Sequence, residues 1–303
     1  MLHPTYLPFT ADQLKNHFAR INVGGQCVPA CEQHLVYYKT SLENYAKCPA
    51  HEDRKGQSLS LLRTPCQVEK DERFWTVVAL MTIFYSENRL AELTGLFQRA
   101  YGAVPPCAGI GSWRDCFDGA LRLYFETNLP SPPSYKEWLR DNLGDRQIVP
   151  YILDSAEGKQ NLEGPTHADA LLLNERNGFA VVIEAKVLSD ISCQITYDVS
   201  RNQIARTIDV MLEANDSLCP PLHRRDPERT LFLLLTPRIF QDHRESRLYG
   251  CTFDAYRNDP AALGRDLPHR PEDLDWKNLS MRLGWLTWED FRDVNGDCCQ
   301  WLG

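Results

Sequence analysis

Between Glu72 and Tyr101 the apolar residues Phe74, Val77, Met81 and Phe84, then Leu90, Leu93 and Phe97, recur three or four positions apart. That repeat lines one face of an α-helix. The polar triplet Ser86-Glu87-Asn88 interrupts the stripe, so the spacing predicts two helices or one kinked helix. "WRDCFDGALRLYFETNL" (113–129) reads as a further helix, closed by "PSPP" at 130–133, where prolines withdraw backbone donors. The period then changes. "HADALLL" (167–173) and "GFAVVIEAK" (178–186) are short apolar runs separated by "NERNG", whose Asn and Gly tolerate the positive φ of a tight turn; the pattern predicts a hairpin. "SCQITYDVSRNQIARTIDVMLEAN" (192–215) returns to helical spacing through Ile195, Val199, Ile204, Ile208 and Met211. "TLFLLLTP" (230–237) reads as a buried strand, and "RLGWLTWEDFRDV" (282–294) as a strand running into a helix. This order of elements predicts a mixed-sheet α/β or α+β sandwich over residues 71–303. Residues 1–70, rich in cysteine, histidine and turn formers, read as an N-terminal accessory segment.

A chain of 303 residues can bury roughly three quarters of its unfolded surface, so a packed core is expected. With 43% hydrophobic and 24% charged residues and no internal repeat, disorder is not expected. The N-terminus shows no basic leader followed by an apolar stretch, and no uncharged apolar run reaches membrane-spanning length. A cytoplasmic protein without a membrane partner is therefore expected. Eleven cysteines, an odd number, then read mainly as reduced core thiols. The net charge of −8 argues against non-specific coating of nucleic acid, although a local basic groove on an acidic body is compatible with it.

The chemistry concentrates at the end of the second hairpin strand. Side chains alternate across a strand, so Glu184 and Lys186 share one face while Ala185 points away, and Asp169 in the partner strand can lie beside them. Two acids can hold a divalent cation with hard oxygen ligands, and a lysine can orient water or balance developing negative charge. Taken alone, a Glu and a Lys two apart near a strand end are usually solvated edge residues. The Ala180–Ile183 apolar run, which implies burial on both faces, favours the metal-assisted hydrolytic reading.

In this arrangement the chain resembles the PD-(D/E)xK nuclease superfamily, with its restriction-endonuclease-like fold, over residues 72 to 290 or so. The resemblance rests on an early helix, "HADALLL", "VVIEAK", a helix with "SRNQIAR", and the late strands "LFLLLTP" and "GWLTWEDF". It implies that Asp169 and Glu184 hold Mg2+ or Mn2+ and that Lys186 is the catalytic base or stabiliser. No proline directly precedes Asp169 in "PTHAD", and Glu163 is the alternative to Asp169. Similar nucleases bring a glutamine from the following helix to the site, which here is Gln203. Arg201 and Arg206 would contact phosphates, the alternative being surface charges; Arg206 lies on nearly the same helical face as Gln203. Such nucleases often add an acid from an early helix. Glu87 fits that role if Ser86 caps the helix, with Glu92 and Glu126 behind it, although an acid in a first turn also simply suits the helix dipole.

The activity implied is a magnesium-dependent phosphodiesterase, more an endonuclease than an exonuclease, acting on DNA in restriction or defence, with RNA as a further substrate class and a homodimer or a defence-system protein as partner. A nuclease-fold module without catalysis, binding nucleic acid or a protein, is the alternative. A Schiff-base enzyme would need Lys186 neutral, which two neighbouring carboxylates oppose.

A second constellation lies upstream. Cys27, Cys31, Cys48 and His51 form C-x3-C-x16-C-x2-H, a set able to complete a tetrahedral zinc site, while the helical stretch between them could equally pack the cysteines as apolar groups. Cys298 and Cys299 are vicinal and suggest no role.

Overall fold

The computed structural model describes residues 8–46, 70–192, 196–214 and 216–302. At its centre is a five-stranded sheet of β3 (Leu121–Leu129), β4 (Thr166–Asn174), β5 (Ala180–Ala185), β6 (Thr230–Thr236) and β7 (Leu283–Thr287), in that spatial order. Strands β3 and β5 each pair antiparallel with β4, and β5, β6 and β7 run parallel. Every residue of β5, β6 and β7 is buried, as expected for strands covered on both faces. A separate hairpin pairs β1 (Arg20–Val23) with β2 (Gln26–Pro29).

Helices cover both faces. Phe74, Val77 and Met81 of the Glu72–Tyr85 helix and Leu93, Leu96 and Phe97 of the Arg89–Tyr101 helix pack with Val181, Ile183, Leu231 and Leu233. Ile204, Ile208 and Met211 of the Gln203–Met211 helix, joined by Tyr249 and Phe253, pack with Leu171, Val182, Phe232 and Leu234. The mixed α/β class is therefore as the pattern predicts. The break at Ser86–Asn88 and the passage from β7 directly into the Trp288–Val294 helix also agree.

The expected hairpin is β4–β5, with Ala170 opposite Ile183 and Leu171 opposite Val182. Its turn needs a glycine at 178, which adopts φ 73, and a Cβ there would lie 2.9 Å from the Arg224 carbonyl. The Asn174 amide steadies the turn's base by donating to the carbonyls of Cys116 and Asp118.

Two elements differ from expectation. Residues 113–129 are one short helix, Trp113–Phe117, followed by the strand β3. Gly119 at φ 97 ends the helical path, after which Leu121, Leu123 and Phe125 follow the two-residue repeat of a strand packed on the core. The helix expected over 192–215 spans only Gln203–Met211. The Asp198 carboxylate accepts the N–H groups of Ser200 and Arg201, and Asn202 caps the helix by accepting from Ala205 N–H, so side chains divert the backbone just upstream. Val199 is 46% exposed, and Ile195 lies outside the described residues.

The described part of the N-terminal segment packs into the same core. Leu14 and Phe18 join the cluster of Phe74 and Phe125, Phe125 N–H donates to the His17 carbonyl, and His17 Nδ1 lies 2.9 Å from the Leu123 carbonyl. A disulfide joins Cys27 to Cys219 across 192 residues. These two cysteines are not the reduced thiols expected from the sequence, whereas Cys31, Cys116, Cys298 and Cys299 are buried and free. Among the described residues no helix is long and apolar enough to cross a membrane.

Candidate metal-assisted active site

One step along the β4–β5 register beyond Ala170–Ile183, Asp169 stands across from Glu184. Alternation puts both on the face that carries Leu171 and Val182. Asp169 Oδ2 accepts the Ala185 N–H at 2.8 Å. Lys186 is held just past the strand end by its own backbone: its N–H donates to the Leu235 carbonyl and its carbonyl accepts Trp288 Nε1–H. Its side chain turns back on the acid, with Nζ 2.6 Å from Glu184 Oε1 and 3.8 Å from Glu72 Oε1. Gln203 Nε2 donates to the same Glu184 oxygen. Glu184 is only 1% exposed, and its second oxygen, Oε2, is buried without a hydrogen-bond partner.

Charge is unbalanced here. Burial first, and then the charge of Glu184, push the Asp169 carboxyl well above the usual carboxylate range. Burial also raises Glu184, against the opposing pull of Lys186. For Lys186 burial disfavours the ammonium, yet the carboxylates of Glu184, Asp169 and Glu72 together hold it above the ordinary lysine value. Lys186 is thus charged, which removes the Schiff-base reading. Three carboxylates share one ammonium, and one buried oxygen has no partner; a hard divalent cation fits both facts. Among the described residues no cluster of three or more His, Cys, Asp or Glu side chains could hold a metal. The Asp169–Glu184 pair alone suits Mg2+, which keeps most of its waters and takes one or two carboxylates.

Gln203 reaches the site, although not from within the long helix expected over 192–215. It is the first residue of its helix, and its Oε1 accepts the Ser192 N–H while Nε2 serves Glu184. Arg201 is placed otherwise than expected. It is 1% exposed, paired with Glu163 at 3.2 Å and Asp209 at 2.5 Å, and lies 3.4 Å from the centroid of the Tyr135 ring, so it is an interior cation and not a phosphate contact. Arg206 is partly exposed, with Nε 2.5 Å from Glu163. Glu163 therefore belongs to the arginine network and does not replace Asp169.

Glu87 is exposed in the connection between helices, lining a different cavity with Glu92 and Asp297. Ser86 caps the end of the preceding helix and does not begin the next. Glu92 accepts from Ser86 Oγ, and Glu126 pairs with Arg73 at 2.9 Å. The early-helix acid that reaches Lys186 is Glu72, which sequence reading passed over. The available signal was its place at the first helical position, directly after the capping Asp71.

The zinc expectation fails at Cys27, whose sulfur is bonded to Cys219 and so cannot serve as a thiolate ligand. Cys31 is buried at the start of the Cys31–Ala46 helix, and Cys48 and His51 lie outside the described residues.

Comparison of the chain with protein-family models, with curated proteins and with solved structures finds no match.

Proposed function

We propose that the protein is a Mg2+- or Mn2+-dependent nuclease of the PD-(D/E)xK kind, with a restriction-endonuclease-like fold, that hydrolyses DNA phosphodiester bonds. The observation that carries this reading is Glu184 itself: one carboxylate oxygen is held by Lys186 and Gln203, while the other is buried and unpartnered opposite Asp169. Asp169 and Glu184 would hold the cation. A divalent ion held there would supply Lewis acidity to the phosphate and a more acidic water. Lys186, beside Glu184 and Glu72, would balance negative charge developing on the phosphate oxygens or serve as the base. Gln203 fixes the rotamer of Glu184 and so the direction of its free oxygen. Restriction or defence is the biological setting that the resemblance suggests, with a homodimer or a defence-system protein as partner.

The test incubates the wild type and Lys186→Ala with supercoiled, linear and single-stranded DNA and with RNA, in Mg2+, Mn2+, Ca2+ or chelator. Cleavage that requires Mg2+ or Mn2+ and Lys186 is the expected result, and equal cleavage by the two proteins would reject the mechanism. A second reading, a binding module that keeps the fold without catalysis, is favoured by the enclosure of the site, with Lys186 only 3% exposed and already paired. Binding of DNA by the wild type without turnover in any metal would select it.

A further inference from the structure

A cleft of about 400 Å³ is lined by His34, Tyr37, Tyr38, Arg73, Glu126 and His167. Chain and register tie it to the site. His167 precedes Asp169 by two positions on β4, Arg73 follows Glu72, and Glu126 lies between the β3–β4 pairs Phe125–Ala170 and Thr127–Ala168, across from Asp169. We propose that this cleft seats one unstacked nucleotide of the substrate strand, so that single-stranded or frayed DNA is preferred over intact duplex. The proposal rests on the nuclease reading for the position of the scissile phosphate.

The cleft offers flat surfaces together with an arginine. The His34 ring stacks on Phe18 with centroids 4.8 Å apart, and the Arg73 guanidinium lies 4.3 Å from the Tyr37 ring centroid, with its side chain 40% exposed. Aromatic rings and arginine planes are the surfaces on which splayed bases stack without regard to sequence. Arg73, His34 and His167 crowd together. Arg73 is the cation of this group, and the two imidazoles are polar rings that can donate hydrogen bonds to a phosphate. The acids bordering the cleft are already engaged, Glu126 by Arg73 and Asp71 by the Tyr37 hydroxyl.

Size and backbone agree. Pockets for small ligands run from about 300 to 1,000 Å³, so this volume suits one nucleotide, whereas a base held within a duplex cannot enter. Glu126 adopts φ 49 in mid-strand, a left-handed conformation that a non-glycine residue rarely takes and that tends to persist at functional sites.

Fluorescence anisotropy in Ca2+ with one labelled oligonucleotide, presented as a single strand and as a duplex, tests the proposal on the wild type, His167→Ala and His167→Ala/Arg73→Gln. Cleavage in Mg2+ by the wild type and Lys186→Ala is read in parallel, and melting temperature checks that each variant is folded. The wild type is expected to bind the single strand at least ~10-fold tighter than the duplex, as stacking of unpaired bases implies. The double variant should bring that ratio close to one, with His167→Ala in between; His167 is exposed and can be removed without opening the core. A wild-type ratio near one, or a ratio the variants leave unchanged, overturns the cleft assignment, and Lys186-dependent cleavage in the same experiment would leave the nuclease reading standing. Loss of the preference in the variants without cleavage by the wild type keeps the cleft as a strand-binding site and removes the nuclease reading.

Discussion

Lys186 places its ammonium 2.6 Å from the carboxylate of Glu184, two residues upstream, where both side chains are almost wholly buried. Removing the lysine leaves Glu184, Asp169 and Glu72 facing one another without a cation. Lys186→Ala should therefore lower stability by about 3–5 kcal/mol in metal-free buffer, the range for breaking a buried pair from one side. Added Mg2+ should recover part of that loss. Cleavage should stay at least ~100-fold below wild type even at saturating metal, because the charge it supplies to the phosphate is absent. Thermal melts with and without Mg2+, set beside single-turnover cleavage, check both halves.

Asp169 should behave in the opposite way. Its folded-state pKa is raised, so the native state holds the proton more tightly than the unfolded chain does. Stability is then greatest below the unfolded value of about 3.9 and falls as pH rises through the raised folded value. Asp169→Asn abolishes that cost while keeping an oxygen for the Ala185 N–H. Without metal near pH 8 the variant should melt above the wild type. With Mg2+ at about 100 times its Kd the wild type should gain ~2.7 kcal/mol and the variant almost nothing. A variant that melts lower in metal-free buffer would contradict the placement of Asp169 beside Glu184.

What could be read from the sequence follows from the range of each interaction. Asp169, Glu184 and Lys186 were legible because strand alternation and a hairpin turn are local, and the structure keeps their parity. Gln203 was found although the helix that carries it begins only at Gln203, since Asp198 and Asn202 divert the chain just upstream. Strand β3 was hidden because the apolar positions of Trp113–Phe117 and Leu121–Phe125 run together at mixed spacing, and only pairing with β4 decides between the two periods. The burial of Arg201 depends on Glu163 and Asp209, and the Cys27–Cys219 bond spans 192 residues; no local pattern reports either.

The two arginines should separate by experiment. Arg201→Ala strips Glu163 and Asp209 of a buried partner and should cost about 3–5 kcal/mol. Arg206→Ala removes a partly exposed cation, should cost at most ~1 kcal/mol, and should flatten the salt dependence of DNA binding if Arg206 meets phosphate. Chemical denaturation and binding at several salt concentrations distinguish them. A mild effect of Arg201→Ala on stability would count against its interior role.

The disulfide predicts a redox-dependent stability. Cys27 lies on β2, and Cys219 on the loop after the Gln203–Met211 helix, so the bond limits the unfolded chain across a long loop. Reduction, or Cys27→Ser, should cost about 2–5 kcal/mol. Mass spectrometry of the alkylated protein before and after reduction tests the pairing, and melting with and without reductant tests the magnitude.

Glu72 and Glu87 give the sharpest contrast between sequence and structure. Glu87 was the acid expected from an early helix, but it is Glu72 that lies 3.8 Å from Lys186 Nζ, with Ser189 Oγ donating to its other oxygen. Glu72→Gln removes one of the three carboxylates that keep Lys186 charged, and with it part of the negative field that draws a cation to Asp169 and Glu184. Half-maximal cleavage should then need more Mg2+, and the rate at saturating metal should fall about ten-fold, which is ~1.4 kcal/mol of barrier. Glu87→Gln, altering an exposed residue on another cavity, should leave both quantities unchanged. A magnesium titration of cleavage by the two variants and the wild type measures this directly, and equal behaviour of Glu72→Gln and the wild type would remove Glu72 from the site.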